Sequence, residues 1–448
     1  MSLTSVEVKR KAVHVGCGLF ALAFARLTWH EAALAALAAL AFNLFVLPRA
    51  GGGHLLRPAD LDRGFPVGIL VYPLTVLTLV LLFPERLELA AAGWGYLAFG
   101  DGFATLLGSA LSGPRLFWNP EKSWAGFVSY VVFGSAAAVA LYGVVAHRRP
   151  SVEEAVALLV GALVGAIFES LPSELDDNLV APLAGAGAAA ALLHAVPGLA
   201  AVASLEWLQR AGWGALLNVA VALAMALLHV VRPSGAVAGF VFGTLVYAFG
   251  GKEGYLLLWI FFGVGTAATR FGRKRKEALG KAEEKGGRRG AVHVLANVSV
   301  ATFALVVAAG SPEPYAGLFR LAAAAAFATA LMDTVGTEVG QAVRTPTVLL
   351  PDLKRVPPGT DGAVSVAGTL AGLFAAGFLA AAALDLHVVT RTGAILVVVA
   401  AFIGTIAESL LGRANAPWRV TNGHVLNLYN TLVGAVAAYG LAHLVGPS

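Results

Sequence analysis

Apolar residues run through this chain in long blocks separated by short polar islands, and the blocks set the first expectation. Each is about 16 to 23 residues long, close to what a helix needs to cross a ~30 Å hydrocarbon layer. About fifteen can be read. They centre near 12–28, 30–47, 66–84, 89–111, 125–145, 153–171 and 179–202, then 213–231, 234–250, 254–269, 292–309, 316–332, 362–384, 393–411 and 424–446. The expected fold is an all-α polytopic membrane protein. Composition agrees: 58% of the 448 residues are hydrophobic and 13% charged, where a soluble domain has roughly a quarter charged. Mean hydropathy is +0.78.

The polar islands recur in order. Arg10-Lys11-Ala-Val-His14 returns as Arg289-Gly-Ala-Val-His293, and Gly100-Asp101 followed by Gly108 returns as Met332-Asp333 followed by Glu338 and Gly340. Lys122-Ser123 with Gly126 is followed in the second copy by Gly359-Thr360-Asp361-Gly362 and Ser365, and Glu169-Ser170 by Glu408-Ser409. Such self-similarity reads as an internal duplication. With the N-terminus inside, roughly three quarters of the basic residues fall in cytoplasmic loops, as insertion requires. Both copies then begin by crossing outward, so the repeats are parallel, and every polar island lies at the cytoplasmic face. The second copy lacks the helix pair corresponding to 30–84, and three helices over 213–269 join the copies.

Charge refines this picture only locally. The net +5 is concentrated between Arg270 and Arg289, expected to be a topology determinant and a surface attracted to anionic membrane lipids. No nucleic-acid partner is expected. The single cysteine, Cys17, excludes Cys-based metal sites and disulfides within the chain. A cleaved leader is not expected, because the first apolar segment carries His14 and belongs to the repeat. Richness in Ala, Gly, Val and Arg fits a GC-rich prokaryotic genome, so a multi-pass protein of the cell membrane is expected, with its sites facing the cytoplasm.

Ionisable groups at membrane depth are costly, which makes Asp101, Glu169, Asp333 and Glu408 candidate functional residues. In the first copy Gly100-Asp101, Lys122-Ser123, Glu169 and Asp176-Asp177-Asn178 form a set of carboxylates, a point charge and small residues. A nucleoside triphosphate with Mg²⁺ needs such a set. His14, one turn beyond Arg10 and Lys11, is placed to contact phosphate or take a hydroxyl proton. The soluble alternatives are absent: there is no P-loop and no kinase catalytic loop. Gly263-Val-Gly265 matches a dinucleotide fingerprint by letters only, since no strand precedes it. Asn297-Val-Ser299 is a sequon placed in a helix. The pairs Gly161/Gly165, Gly239/Gly243 and Gly368/Gly372 are expected to be helix-packing positions.

On these motifs the N-terminal part resembles the dolichol kinase and phytol kinase family, relatives of the membrane CDP-diglyceride synthases. The resemblance implies transfer of the γ-phosphate of CTP to a long isoprenoid alcohol. The C-terminal part is similar to the phytyl-phosphate kinase family, which adds a second phosphate. That likeness rests on Gly265 to Arg270, Arg289 to Asn297, Asp333-Thr334 with Glu338 and Gly340, Gly359 to Gly362, Gly404 to Gly412 and Asn422 to Asn430. The sequence departs from that pattern at Asp361, where Asn is favoured, and at Glu408, where Asp is favoured; both keep an oxygen able to bind metal.

The implied organisation is an isoprenoid alcohol kinase over 1–204, linking helices and the basic linker over 205–291, and an isoprenoid monophosphate kinase core over 292–448. His14, Asp101, Lys122, Asp333 and Glu338 are the expected catalytic residues. Mg²⁺ would be held by Asp101, Glu169, Asp176 and Asp177 in one site and by Asp333, Glu338, Asp361 and Glu408 in the other. CTP would be contacted by Arg10, Lys11, Gly100, Gly108, Lys122, Ser123, Gly126 and Asn178, and in the second site by Arg289, His293, Gly359, Thr360, Gly362 and Ser365. Two rival readings carry weight: a cytidylyltransferase forming a CDP-lipid, and a secondary carrier built from parallel repeats. A carrier site should lie near the bilayer midplane, whereas these islands cluster at one face.

Overall fold

The computed structural model describes residues 5–47, 67–111, 113–172, 176–202, 205–228, 230–272, 289–343, 345–350, 352–360, 362–415 and 423–445. The apolar blocks fall on helices, and the chain divides into two compact units, Met1–Val196 and Pro197–Ser448.

In the first unit α1 (Ser5–Cys17) continues as a 3₁₀ segment, Gly18–Ala25. Helix α2 (Trp29–Ala41) starts with a capping box, in which Thr28 and Glu31 satisfy each other's backbone N–H. Helix α3 (Val67–Leu82) follows. Helices α4 (Leu87–Gly95) and α5 (Asp101–Ala110) run into one another through a π-helical stretch, Tyr96–Gly100. The wider turn sits immediately before Asp101, and π segments of this kind recur at functional sites. Helices α6 (Trp124–Val145), α7 (Val152–Ser170) and α8 (Asp177–Val202) follow. The core is built from small and branched residues, with Ala21, Leu79, Ala90, Leu97 and Ala186 fully buried. Gly161 and Gly165 let α7 approach closely: a Cβ on Gly161 would stand 2.6 Å from Gly185 O, and one on Gly165 3.1 Å from Ala181 O.

The second unit holds α9 (Leu205–Leu227), α10 (Pro233–Arg270), α11 (Ala291–Gly310) and α12 (Tyr315–Ala342). The apolar blocks 234–250 and 254–269 are the two arms of α10, broken at Gly251, whose φ of 63° and ψ of −166° only glycine adopts without strain. Helix α12 is central. Its run Ala322–Leu331 is buried on every side against α10, α11 and later helices, as expected for a helix that is apolar all round. It extends to Ala342, well past the apolar block at 316–332, and so buries Glu338.

The segment that follows α12 departs from the all-α expectation. It folds into a small antiparallel sheet, β1 (Thr347–Leu349), β2 (Lys354–Val356) and β3 (Ala363–Ser365), in the order β2-β1-β3. Thr347 pairs with Val356 on one side and Ser365 on the other. Helices α13 (Val366–Asp385), α14 (Arg391–Asn415) and α15 (Gly423–Val445) complete the unit.

Among the described residues, nine helices are long and apolar enough to cross a membrane, and two shorter ones are apolar. The number is below that of the apolar blocks partly because α10 joins two of them and α7 carries Glu153, Glu154 and Glu169. Asp361, Asn422 and most of the basic linker, 273–288, lie outside the described residues.

Candidate active site

Residues far apart in sequence form one buried charged cluster in the first unit. Lys11 on α1 donates to Asp101 Oδ2 at 2.5 Å, and His14 Nε2 lies 3.2 Å from the same oxygen. His14 Nε2 is also 2.8 Å from Leu97 O. A carbonyl only accepts, so Nε2 carries the hydrogen and any base role of this histidine falls to Nδ1. Tyr72 holds α1 in place by donating to His14 O at 3.1 Å, and itself accepts from Trp94 Nε1 at 2.9 Å.

The loop before α6 presents Lys122. Trp118 Nε1 donates to Ser170 Oγ at 3.1 Å and Asn119 Nδ2 to Ser170 O at 3.0 Å, clamping the loop to the end of α7. Lys122 Nζ then reaches Glu169 Oε1 at 2.5 Å and Asp177 Oδ2 at 3.3 Å. Burial works against its charge, but Glu169 and Asp177 outweigh that and hold the ammonium above its ordinary range.

Asp101, Glu169 and Asp177 each offer an oxygen within 4.8 Å of the others. Three hard oxygen donors from three helices suit Mg²⁺ or Ca²⁺ chemistry. Asn178 Oδ1 is buried and unpartnered among the described residues.

The second unit builds a related but different site. Asp333 on α12 has the side chains of Glu408 and Thr337 beside it, with Glu338 nearby. Carboxyl oxygens gathered in this way can hold a hard cation. Asn430 Nδ2 donates to Glu408 Oε2 at 2.9 Å. Behind it, Asn427 Nδ2 reaches Asn297 Oδ1 at 3.4 Å, and Asn297 Nδ2 donates to His293 O at 2.8 Å. Arg289 is buried with its guanidinium 5.7 and 5.8 Å from the ring centres of Phe261 and Phe262. Gly359 and Gly362, at φ 80° and 73°, bracket Thr360, whose hydroxyl donates to Pro357 O at 2.7 Å in the turn entering β3.

The two units share one local construction. Ser123 accepts from Gly126 N at 3.2 Å, and Ser365 accepts from Gly368 N at 3.1 Å, each capping the helix it precedes. A Cβ on Gly108 would lie 2.9 Å from Gly126 Cα, and one on Gly340 2.9 Å from Ser365 Oγ. Gly108 stands seven residues after Asp101, as Gly340 does after Asp333. This register aligns Ser365 with Ser123, so Val364 occupies the place of Lys122.

Several expected site residues have other observed engagements. Ser123, Gly108, Gly126 and Ser365 serve capping and close packing. Asp176 Oδ1 is taken by Asn178 N at 3.0 Å and Asn178 Nδ2 at 2.7 Å, capping the first turn of α8. Gly100 packs on the Tyr130 ring, 3.0 Å from where its Cβ would lie. Arg10 is half-buried on α1. Gly243 does pack, against Asn218, but Gly239 faces open space, with nothing within 4 Å of a Cβ built there. The pair Gly239/Gly243 is therefore not a two-residue packing motif, because the cleft along α10 removes the partner helix at Gly239. Sequence reasoning missed Tyr72, Trp94, Trp118, Asn119 and Tyr130. Their only signal was aromatic or amide side chains beside the charged islands.

A polytopic helical membrane protein with buried clusters of carboxylates and cations is the class these features define. The chain belongs to the family described as integral membrane protein DUF92, whose profile matches residues 216–426. An uncharacterized membrane protein of Synechocystis sp. is 40% identical over 211 residues, 47% of this chain and 81% of the relative. Protein VTE6, chloroplastic, of Arabidopsis thaliana is 37% identical over 211 residues, 46% of this chain and 63% of that protein. Phytol kinase 1, chloroplastic, of the same plant is 32% identical over 125 residues, 26% of this chain and 40% of the relative. The chain thus spans less than two thirds of both plant proteins. No solved structure matches.

Proposed function

We propose that this chain is a membrane isoprenoid-lipid kinase with two active sites. The first unit would phosphorylate a long-chain alcohol of the phytol or geranylgeraniol type to its monophosphate, and the second would convert the monophosphate to the diphosphate, each using CTP. The observation that carries this reading is the grouping of Asp101, Glu169 and Asp177 beside Lys11 and Lys122. Phosphoryl transfer asks a protein for little beyond positioning and neutralised charge, and this cluster supplies both. The relative named phytol kinase supports the substrate class.

In the first step the alcohol oxygen forms a bond to the γ-phosphorus while the bond from that phosphorus to the β-bridging oxygen breaks, releasing CDP. The hydroxyl proton passes to a base in the cluster, with His14 Nδ1 one candidate. Lys11 holds Asp101 in place through an ion pair, and Lys122 bridges Glu169 and Asp177 in the same way. Mg²⁺, when bound, supplies neutralising charge for the phosphate oxygens, and Asp101, Glu169 and Asp177 are the residues to hold it. In the second unit Asp333 and Glu408 take that part, and the acceptor is a phosphate oxygen of the monophosphate. A monophosphate with a long tail stays in the bilayer.

The test is to incubate the purified protein in detergent with CTP, Mg²⁺ and phytol or geranylgeraniol and to identify the lipid products by mass. Diphosphate with transient monophosphate is expected. Monophosphate alone would remove the second activity, a CDP-lipid would replace the kinase with a cytidylyltransferase, and no lipid product would overturn the enzyme reading.

A further inference from the structure

We infer that the cleft between α9, α10 and α11 is the tail pocket of a single-chain isoprenoid monophosphate, with Arg289 at its mouth as the headgroup contact. The inference rests on the proposed second activity and names where its acceptor binds.

The cleft is partly open and has a cavity volume of about 110 Å³. Val221, Phe242, Trp259, Phe262 and Val298 are among its walls. Gly239 opens directly onto it. At one end the polar lining is already satisfied: Asn218 donates to Gly214 O at 2.9 Å and accepts from Tyr255 at 3.0 Å. A nucleoside base or ribose would find no polar partner along such walls, whereas a hydrocarbon chain needs none.

The other end is cationic. Arg289 and His293 line it, and His293 Nε2 is buried without a hydrogen-bond partner among the described residues. The chain of Arg289 is fixed there, since Arg232 N donates to Arg289 O at 3.0 Å, and Arg232 Nε is likewise buried and unpartnered. The first turn of α11 starts at Ala291 beside these groups, adding its positive end.

This end also borders α12 at the residue after Asp333. The point where a Cβ on Gly265 would sit is 3.0 Å from an Arg289 Nη and 3.6 Å from the Thr334 methyl, next in sequence to Asp333. A monophosphate held by Arg289 would therefore present its oxygen toward Asp333 with the tail running away along α10. Arg289 and His293, expected as CTP contacts, are acceptor contacts in this arrangement.

The experiment is equilibrium photolabelling of the full chain in detergent, without nucleotide, using geranylgeranyl monophosphate with a diazirine at the tail end. Crosslinks are expected on peptides carrying Val221, Phe242 or Trp259, and to be displaced by unlabelled geranylgeranyl monophosphate but not by phosphatidic acid. Gly239→Phe should cut labelling about tenfold, equivalent to losing roughly two buried methylenes. It should shift the second step's preference from a C20 toward a C5 isoprenyl monophosphate by a similar factor, a ratio that general misfolding would not move. Arg289→Gln should weaken labelling without moving its position. Label elsewhere, label indifferent to Gly239→Phe, or equal displacement by phosphatidic acid would overturn the pocket. Because binding is read without CTP, failure of the kinase reading would show separately, as absent phosphorylated product beside intact labelling.

Discussion

Asn430 donates to Glu408 at 2.9 Å, whereas the partner of Glu169 in the other unit is Lys122. Glu408 thus has a neutral amide for a partner where Glu169 has an ammonium, and less positive charge faces it. Glu408→Gln should lower conversion of added isoprenyl monophosphate by about 10²–10³-fold, as for loss of one preorganised charged group. Alcohol phosphorylation by the same preparation should stay within about twofold, since the two sites are on separate units. Loss of both together would refute separate sites.

Asp101→Asn should give the converse pattern. It keeps the shape of the side chain but removes the charge that binds Lys11 and helps hold a cation. Alcohol phosphorylation is expected to fall by about 10²–10³-fold, with added monophosphate still converted to diphosphate. Mass analysis of both lipids from one sample decides it.

Lys122 separates two carboxylates that otherwise repel. Replacing it with Gln leaves Glu169, 6% exposed, facing Asp177 uncompensated. Because the Lys122 side chain is itself 33% exposed, the cost should be about 1–3 kcal/mol, below that for a fully buried pair. That is a fall in melting temperature of about 2–4 °C per kcal/mol for a unit this size. Mg²⁺ should recover part of the loss and EDTA deepen it, a dependence that a simple packing defect would lack.

The same lysine fixes a pH expectation. Its folded-state affinity for protons is raised, so its contribution is fully present below the ordinary lysine value of about 10.4 and is lost only as pH rises beyond it. Between pH 7 and 9 the difference in melting temperature between wild type and Lys122→Gln should stay constant. A difference that shrinks across that range would show that Lys122 is not held by Glu169 and Asp177.

Close backbone approach should matter as much as charge. A Cβ on Gly108 would stand 2.9 Å from Gly126 Cα, and one on Gly372 2.6 Å from Met332 O, beside Asp333. Gly108→Val should push α5 from α6, move Lys122 from Asp101 and reduce the first step about tenfold or more, since ångström displacements near a reaction carry such losses. Gly372→Val should do the same to the second step only. Each variant assayed for both reactions checks the assignment.

Helical membrane character, the apolar blocks and the recurring polar motifs were readable in the chain, because each is a local or periodic property. A run of apolar side chains long enough for a bilayer satisfies its own backbone only as helix, and the spacing of Asp101 to Gly108 and of Asp333 to Gly340 is the same along the chain. Pairing was not readable. Lys11 meets Asp101, Lys122 meets Glu169 and Asn430 meets Glu408 only because helix rotation and close packing bring distant turns together. The same packing turned Asp176 back onto α8, folded the loop after α12 into three strands and left Gly239 facing a cleft. Those outcomes depend on which neighbouring surface is present, a property of the tertiary structure and not of the local sequence.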